Sequence, residues 1–540
     1  MEHRIIIRKE ILFIPIQVTS PEVLVEFFVE EEDGTFLKEF EFWIPVGTCQ
    51  EDVTYRCDYY ARFPVKKFTD KTIILKGDVP EAFLSEIKNE DNLEQEPLER
   101  PSIHFTSGRS WINDPNGLCF HDGVYHLYFQ YNPFHIKWNN MCWGHAISRD
   151  LLHWEEKDPV LFPDEHGMIF SGSAILNEKG CLGFAKDALL YFYTAAGESN
   201  AWAKGKDSTQ RMAVSLDGGN TLIKTELGIV SSIGRESRDP KVFWHEQTQS
   251  YIMSLWIEKN EFAILRSDNL ESFAISQRFS LEGAWECPDL FCLKDDAGDE
   301  KWIFWSADGF YYFGTFDGYQ FLTDGKRNLA YMNAVPYAAQ TYSGLKDRII
   351  SVPWLRMEFE NMDVQVESSQ ENPDQDGYNG RMYTGAMGVP RELKLIKIEE
   401  EWKLSQDYTE ELYRNRQERK VGKMIDTDVQ EPIRVEVSAK CPVLLEWKWD
   451  NDSGAKEVIQ LNVCGVDVVY HSLKGELIVG EKVVMIGCGI CDFSFLIDDV
   501  IFEVTANHGI IVGAFELKKD SNTILLSGNE MAEWKVYQIH

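Results

Sequence analysis

A repeated β-unit in the middle of the chain limits the fold more than any other feature of the sequence. Five aromatic and β-branched segments begin at intervals of roughly 47 to 64 residues, and each follows another short apolar segment. They occupy residues 125–131, 189–194, 251–256, 301–306 and 348–354. Because propeller blades of four strands repeat about every 40–50 residues, the pattern predicts a five-bladed β-propeller. An irregular β-sandwich is the alternative and fits the period less well.

The regions on either side of the repeat also have the pattern of short strands. Near the N-terminus, Asp33-Gly34 separates two β-branched and aromatic runs, which is a hairpin signal. Short alternating segments return after about residue 425, as is typical of a sandwich. The sequence therefore predicts an all-β chain. The predicted units are a β-rich N-terminal accessory domain (1–95), the propeller (96–395), a polar linker (396–424) and a C-terminal β-sandwich (425–540), with an acidic insertion at 364–380.

Charge and composition exclude several classes of function. The chain carries 54 Lys and Arg against 88 Asp and Glu, a net charge of −34. Such a chain lacks the basic footprint needed to bind nucleic acid or an anionic membrane. No apolar run reaches the length of a membrane-spanning helix, and the first residues lack the features of a signal peptide. The 11 scattered cysteines fit a reducing compartment, so we expect a cytoplasmic protein.

Three acidic residues occupy equivalent positions at the starts of predicted blades. They are Asp114, Asp239 and Glu286. The first strand of each blade lines the axis of a propeller, so these side chains are expected to converge at one mouth of the channel. Each motif alone is an ordinary turn signal. A cluster of three instead points to acid–base chemistry, a cationic ligand or a hard metal, and a pair of carboxylates in different protonation states is what glycoside hydrolysis needs.

The segments around these residues resemble the signature motifs of a known enzyme family. Trp111-Ile-Asn-Asp114-Pro-Asn-Gly117, Ser237-Arg-Asp239-Pro240 and Trp285-Glu286-Cys-Pro-Asp-Leu-Phe291 are similar to the three signature motifs of glycoside hydrolase family 32. That family contains invertases, levanases, inulinases and other β-fructosidases. The resemblance covers about residues 100–395 and continues more faintly into the C-terminal region through segments 495–498, 502–504 and 507–509.

The resemblance implies a propeller followed by a sandwich and a retaining reaction at a β-fructofuranosyl bond. Asp114 resembles the nucleophile, Glu286 the general acid and base, and Asp239 the stabiliser of the transition state. A retaining enzyme would hold Asp114 and Glu286 roughly 5 Å apart. No metal or cofactor is expected. The candidate substrate-binding residues are Asn113, Gln130, Trp138, Phe170, Ser171 and Arg238, with the strand residues Trp305 and Trp354 as further aromatic candidates.

Several alternatives stay open at this stage. The expected substrates are sucrose, fructo-oligosaccharides, inulin or levan, whereas sucrose 6-phosphate would use His135 and Lys137 against the phosphate. Two other hypotheses for the function are fructosyl transfer to another sugar and sugar binding without catalysis. Propellers that act on arabinans share the three carboxylates but lack these motif strings. Ser237 stands where the family more commonly has Phe, and the N-terminal region of about 95 residues lies outside the usual two domains. The sequence does not decide whether the chain forms a homo-oligomer.

Overall fold

The computed structural model describes residues 1–47, 55–357, 381–398, 400–424, 433–436, 441–449, 458–517, 523–527 and 532–540. Its regular structure is almost entirely strand, which confirms the predicted all-β fold class. The predicted insertion at 364–380 lies outside the described residues. Among the helices of the described segments, none is long and apolar enough to cross a membrane.

The N-terminal domain consists of two antiparallel sheets around an aromatic core. One sheet has the order β1-β6-β3-β4 and the other β5-β2-β7. Most ring pairs among Phe27, Phe40, Phe42 and Phe63 meet edge to face or tilted between the sheets, and Phe40 stacks on Phe42; these are favourable geometries for aromatic pairs. The elements are β1 (Glu2–Ile6), β2 (Ile11–Ile16), β3 (Glu22–Glu30), β4 (Phe36–Pro45), β5 (Tyr59–Pro64), a 3-10 turn (Lys66–Phe68), β6 (Thr72–Gly77), α1 (Glu81–Ser85) and β7 (Lys88–Glu90).

Five consecutive sheets form the propeller, and the five predicted aromatic segments are the second strands of its blades. Blade I is β8 (Ser110–His121), β9 (Val124–Asn132), β10 (Cys142–Ser148) and β11 (Glu155–Leu161). Blade II is β12 (Met168–Leu176), β13 (Leu189–Ala196), β14 (Thr209–Ser215) and β15 (Ile223–Val230), with a 3-10 turn (Cys181–Gly183). Blade III is β16 (Arg238–His245), β17 (Ser250–Glu258), β18 (Glu261–Ser267) and β19 (Ala274–Ser280).

The last two blades complete the ring. Blade IV is β20 (Asp289–Lys294), β21 (Glu300–Trp305), β22 (Phe310–Phe316) and β23 (Phe321–Leu329). Blade V is β24 (Pro336–Thr341), β25 (Ile350–Leu355), β28 (Arg391–Ile398) and β29 (Glu401–Tyr408), with the short β27 (Ala386–Met387) beside β25. The short β26 (Tyr383–Thr384) instead pairs parallel with β8 of blade I, so residues between the second and third strands of blade V tie the last blade to the first.

The prediction that residues 396–424 form a linker is wrong. Residues Glu401–Tyr408 form the outer strand of blade V, paired with Arg391–Ile398, so the propeller continues beyond residue 395. Helix α2 (Glu410–Arg414) follows, and Arg416–Met424 already belongs to a sandwich sheet. These strands lie at the edges of their sheets and expose charged side chains on one face, which is why their sequence resembles a polar connector.

The C-terminal unit is a sandwich of two six-stranded sheets with a continuous apolar core. One sheet has the order β30-β41-β32-β37-β38-β39 and the other β31-β40-β33-β34-β35-β36. The strands are β30 (Arg416–Met424), β31 (Ile433–Glu436), β32 (Val443–Trp449), β33 (Val458–Val463), β34 (Val466–His471), β35 (Glu476–Val479), β36 (Lys482–Met485), β37 (Asp492–Asp498), β38 (Ile501–Ala506), β39 (Ile511–Glu516), β40 (Thr523–Ser527) and β41 (Ala532–Ile539).

A buried charged cluster joins the propeller to the sandwich. His104, just before blade I, hydrogen-bonds through Nδ1 to Asp498 Oδ2 at 2.9 Å and through Nε2 to Glu503 Oε1 at 3.2 Å. The guanidinium of Arg391, in blade V, donates to Glu503. All four side chains are almost completely buried. Since a buried charge is tolerated only when it is paired and hydrogen-bonded, this cluster fixes how the two units pack.

Candidate active site

A cavity of about 360 Å³ collects side chains from all five blades at one mouth of the propeller. It contains ten of the eleven residues that the sequence predicts for the site. These are Asn113, Asp114, Gln130, Trp138, Phe170, Ser171, Arg238, Asp239, Glu286 and Trp354. Met141 and Tyr337 also line it. The equivalent strand starts thus converge as the propeller geometry predicts.

An extra residue in the first strand of a blade turns several of these side chains into the cavity. The pairing between first and second strands shifts register after Ile112, Phe170, Arg238 and Tyr337, in blades I, II, III and V respectively. Such β-bulges bend a strand and re-aim a side chain. The cavity residues Asn113, Asp114, Ser171 and Asp239 all lie at these shifts.

The backbone at the site is held in an uncommon conformation. Asp239, Glu286, Cys287 and Ala338 have φ values of 65°, 23°, 44° and 48°. Non-glycine residues with positive φ carry a conformational cost and concentrate where the surrounding fold imposes a functional geometry. The strain here lies at two of the three acidic residues and their immediate neighbours.

Asp114 accepts hydrogen bonds from three side chains. Ser171 Oγ donates to Oδ2 at 2.8 Å, Asn113 Nδ2 donates to Oδ1 at 3.2 Å, and the Cys287 thiol lies 3.4 Å from Oδ2. Burial, together with the negative charge of Glu286, raises the pKa of Asp114 despite these donors. Its carboxylate is therefore oriented in the cavity but poorly solvated, which suits a reactive anion.

Asp239 is almost completely buried between the other two acidic residues. Its backbone N–H donates to Thr194 Oγ1 at 3.0 Å, and its Oδ2 accepts the Cys287 backbone N–H at 3.1 Å. Burial, together with the negative charges of Glu286 and Asp114, raises the pKa of Asp239 to about 7, although the nearby Arg238 guanidinium opposes the shift. Because this pKa and that of Asp114 are both raised, the cluster retains a proton close to neutral pH.

Both carboxyl oxygens of Glu286 accept hydrogen bonds. The Tyr337 hydroxyl donates to Oε1 at 2.7 Å, and Arg238 donates to Oε2 from Nε at 3.1 Å and Nη2 at 2.7 Å. The Arg238 guanidinium also stacks on the Trp256 ring, with its central carbon 3.9 Å from the ring centroid. These contacts hold the Glu286 carboxyl group in one orientation toward the cavity.

The oxygens of the three carboxyl groups already accept hydrogen bonds from protein donors. Arg238 places a positive charge beside two of the carboxyl groups, and a serine hydroxyl, a thiol and a tyrosine hydroxyl occupy lone pairs of all three. A hard metal would need those same oxygens as ligands. The arrangement therefore matches positioned carboxyl groups acting directly on a substrate better than a metal centre.

One residue predicted to bind substrate, Trp305, does not line the cavity. Trp305 lies at the end of the second strand of blade IV, packed against Phe291, Tyr311 and Tyr331 in the blade interior. Its ring is almost completely buried, so it is a core residue and the prediction that it binds substrate is wrong. Aromatic residues in blade strands occur both in blade cores and in binding sites, and only the burial of the side chain in the structure distinguishes the two roles.

Sequence reasoning missed three residues of the site. Tyr337 was recognisable as a candidate, since it opens the blade V segment that corresponds to the acidic segments and holds the position of Arg238 in blade III. Cys287, directly after Glu286, bridges Asp114 and Asp239 with its thiol 3.4 Å from each carboxylate. Nothing in the local sequence marks Met141, which reaches the cavity only because of the loop that carries it.

The candidate active site is thus a cavity at the axis of a five-bladed propeller, with three carboxyl groups inside it. Residues 104–407 match the family model described as the glycosyl hydrolases family 32 N-terminal domain. The chain therefore belongs to glycoside hydrolase family 32.

Curated relatives agree with this assignment, and a solved structure shares the fold. An extracellular exo-inulinase of Aspergillus niger is 34% identical over 352 residues, covering 55% of this chain and 62% of the inulinase. A levanase of Bacillus subtilis is 32% identical over 342 residues, covering 58% of this chain and 47% of the levanase. The chain thus spans less than two thirds of the length of these relatives. The crystal structure of an exo-inulinase from Aspergillus awamori has a similar fold, with a TM-score of 0.68 at 24% identity over 82% of this chain and 99% of that one.

Proposed function

We propose that the protein is a retaining, exo-acting β-fructosidase that releases terminal β-D-fructofuranosyl units from sucrose, fructo-oligosaccharides or fructan. The observation that carries the proposal is the meeting of Asp114, Asp239 and Glu286 in one cavity, with Glu286 held by Tyr337 and Arg238. The exo-inulinase and levanase relatives support the same chemistry. A cavity of about 360 Å³ is at the small end for ligand sites and favours attack on a chain end.

In the first step, a carboxylate oxygen of Asp114 attacks C2 of the fructosyl unit while the bond from C2 to the leaving oxygen breaks. Glu286 gives its proton to that oxygen, so the leaving sugar departs as an alcohol. Asp239 hydrogen-bonds the fructosyl hydroxyl groups and stabilises the oxocarbenium-like transition state. The product is a fructosyl ester on Asp114.

In the second step, water replaces the departed sugar. The Glu286 carboxylate takes a proton from the water, whose oxygen attacks C2 and displaces Asp114. Fructose is released with its anomeric configuration retained, and Glu286 regains the proton that it lost in the first step. Tyr337 and Arg238 keep the Glu286 carboxyl group in place for both transfers.

Sucrose 6-phosphate is supported less well as the substrate. Burial lowers the pKa of His135 to about 4, so this imidazole is neutral at physiological pH, and its Nδ1 already accepts the Ile136 backbone N–H at 2.8 Å. His135 therefore offers no positive charge to a phosphate, and of the predicted pair only the exposed Lys137 does. A neutral fructoside is the better fit.

The proposal is tested by measuring fructose release from sucrose, sucrose 6-phosphate, inulin-type oligosaccharides and levan. We expect release from the unphosphorylated substrates, with sucrose 6-phosphate the poorest. The anomer of the released fructose, followed by NMR from the start of the reaction, should be β. Absence of fructose from all four substrates with a folded protein would refute the fructosidase, and initial release of the α anomer would refute retention.

Replacing Tyr337 with phenylalanine removes one donor to Glu286 without changing the ring. A hydrogen bond to a charged group contributes about 1.5–3 kcal/mol, so we expect kcat on sucrose to fall roughly 10- to 100-fold with a changed pH profile. Tyr319→Phe, at an exposed tyrosine, is the matched control and should behave as wild type. Unchanged kcat and an unchanged profile in Tyr337→Phe would show that this contact does not position Glu286.

A further inference from the structure

The N-terminal domain contacts the propeller at the loop that carries two residues of the cavity. This loop joins β9 to β10, and its Trp138 and Met141 line the site. The side chain of Asn140 accepts the backbone N–H of Trp43 and donates to its carbonyl oxygen, both at 2.8 Å. Beside it, Asn139 Nδ2 donates to Glu22 Oε2 at 2.9 Å. The β3–β4 sheet of the N-terminal domain is thus joined to the rim of the cavity.

The same loop is also part of the hydrophobic core of the N-terminal domain. Phe134, Ile136 and Cys142 are buried members of that core, and the Phe134 ring lies 4.7 Å from Phe42. The domain therefore does not merely touch the propeller. It provides the interior on which the Trp138 loop is folded, so the position of Trp138 in the cavity depends on it.

A second contact reaches the corresponding loop of blade II, between β13 and β14. The backbone N–H of Trp202 donates to Glu41 Oε1 at 2.8 Å, and the Lys38 ammonium lies 5.0 Å from the centre of the Trp202 ring. This loop is on the active side of the propeller, because its Ser199 Oγ accepts the Met168 backbone N–H at the start of β12.

The backbone of Trp43 is bonded to the blade I loop, and the nearby Glu41 contacts the blade II loop. In β4 the side chains of Phe40, Phe42 and Ile44 enter the domain core, so Glu41 and Trp43 lie on the opposite face, toward the propeller. The Trp43 side chain is 37% exposed and that of Trp138 is 49% exposed, so both present ring surface at the rim.

We infer that this face of the N-terminal domain and the two loops form a second sugar-binding region, continuous with the cavity through Trp138, that holds units of a fructo-oligosaccharide beyond the bond being cleaved. The inference rests on the proposed function. Trp43 and Trp138 supply flat, partly exposed rings for the apolar faces of sugars. Trp202 is half-buried beneath Lys38 and lines a neighbouring cleft between the N-terminal domain and blades I and II. Among the polar side chains nearby, Glu22 and Asn139 bond to each other and Lys38 pairs with Glu26 and Glu41, so a sugar hydroxyl would share these groups with their present partners.

The region is tested with the variants Trp43→Ala and Trp202→Ala. The Asn140 contacts to position 43 are made by backbone atoms, so they survive loss of the indole. Trp244→Ala is the matched control, because Trp244 is also half-buried, also carries a lysine on its ring (Lys179, 4.4 Å), and lies near the opposite end of its blade's first strand. The readout is the ratio of kcat/KM for the inulin-type tetrasaccharide nystose to kcat/KM for sucrose.

We expect this ratio to fall about tenfold in Trp43→Ala and in Trp202→Ala, which corresponds to the loss of about 1.4 kcal/mol of binding to the longer chain. The ratio should stay at the wild-type value in Trp244→Ala. Wild-type ratios in both test variants would overturn the inference. Should Trp43→Ala fail to fold, as judged by its melting temperature, the ratio of Trp202→Ala decides alone.

A binding measurement separates failure of this inference from failure of the proposed function. Asp114→Asn, in which turnover is blocked, should bind nystose more tightly than sucrose, and adding Trp43→Ala should remove the difference. Equal affinities for the two sugars in Asp114→Asn would reject the extended region while leaving the fructosidase intact. Absence of fructose release by the wild-type protein would instead reject the fructosidase itself.

Discussion

Replacing Asp114 with asparagine is expected to reduce fructose release by at least about 10³-fold on every substrate that the wild-type protein cleaves. The amide keeps the shape of the side chain and its position beside Ser171 and Asn113, but it cannot form the ester with C2. The loss should therefore appear in kcat rather than in binding, and the variant should unfold at the wild-type temperature.

Two comparisons make this result specific. Asp122→Asn makes the same chemical change in the turn after the same strand, at a side chain that is 89% exposed, and should leave activity unchanged. Glu286→Gln should lose activity on sucrose. With β-fructofuranosyl fluoride, whose leaving group needs no proton, this variant should release an initial burst of fluoride and then slow, because hydrolysis of the Asp114 ester still lacks its base. Substantial sucrose cleavage by Asp114→Asn, or no fluoride burst from Glu286→Gln, would contradict the assigned roles.

Replacing Glu503 with glutamine is expected to lower the free energy of unfolding by about 3–5 kcal/mol, because it leaves Arg391 and His104 buried without one partner. Chemical denaturation followed by tryptophan fluorescence measures the change. The matched control is Glu481→Gln at an exposed position of the sandwich, which should change stability little. A loss below about 1 kcal/mol in Glu503→Gln would mean that the junction is held by other contacts.

The contribution of this cluster depends on pH in a defined window. Burial alone would lower the pKa of His104, but hydrogen bonds to Asp498 and Glu503 raise it from 6.5 to about 9, so its stabilising effect is complete below pH 6.5 and is lost as pH rises toward 9. Burial alone would raise the pKa of Glu503, but Arg391 and His104 lower it from 4.5 to about 2, so its effect is complete above pH 4.5 and is lost as pH falls toward 2.

Both contributions are therefore complete only between pH 4.5 and 6.5. The difference in unfolding free energy between wild type and Glu503→Gln should be largest in this window and shrink on either side of it. A difference that stays constant from acid to alkaline pH would show that these groups titrate alike in the folded and unfolded chain.

The repeat and the acidic positions were predictable from the sequence because both follow from topology. Aromatic second strands recur with the blade period, and the starts of first strands must meet at the axis, so Asp114, Asp239 and Glu286 could be placed together before any coordinates. Tyr337 stands in blade V where blade III carries Arg238, but its hydrogen bond to Glu286 depends on the distance between two blades. Local sequence does not encode that distance.

Each mistaken prediction comes from a sequence pattern that is compatible with two different local structures. The aromatic strand around Trp305 is compatible with a residue that contacts substrate, but the Trp305 side chain is buried in the core of its blade. The outer strand Glu401–Tyr408 looks like a linker because a strand at a sheet edge shows its polar face to water. The bulges after Ile112 and Arg238 are invisible in one strand alone, since a bulge is a mismatch between two strands.

The bulges have a consequence for how such a site can change over time. Blade V has the same kink as blades I and III, but it carries Ala338 and Ala339 where blade III carries Asp239. The backbone that presents a side chain to the channel is therefore independent of the chemical group presented. A lineage can gain, lose or exchange a functional group at such a position by single codon changes, while the architecture of the ring stays the same.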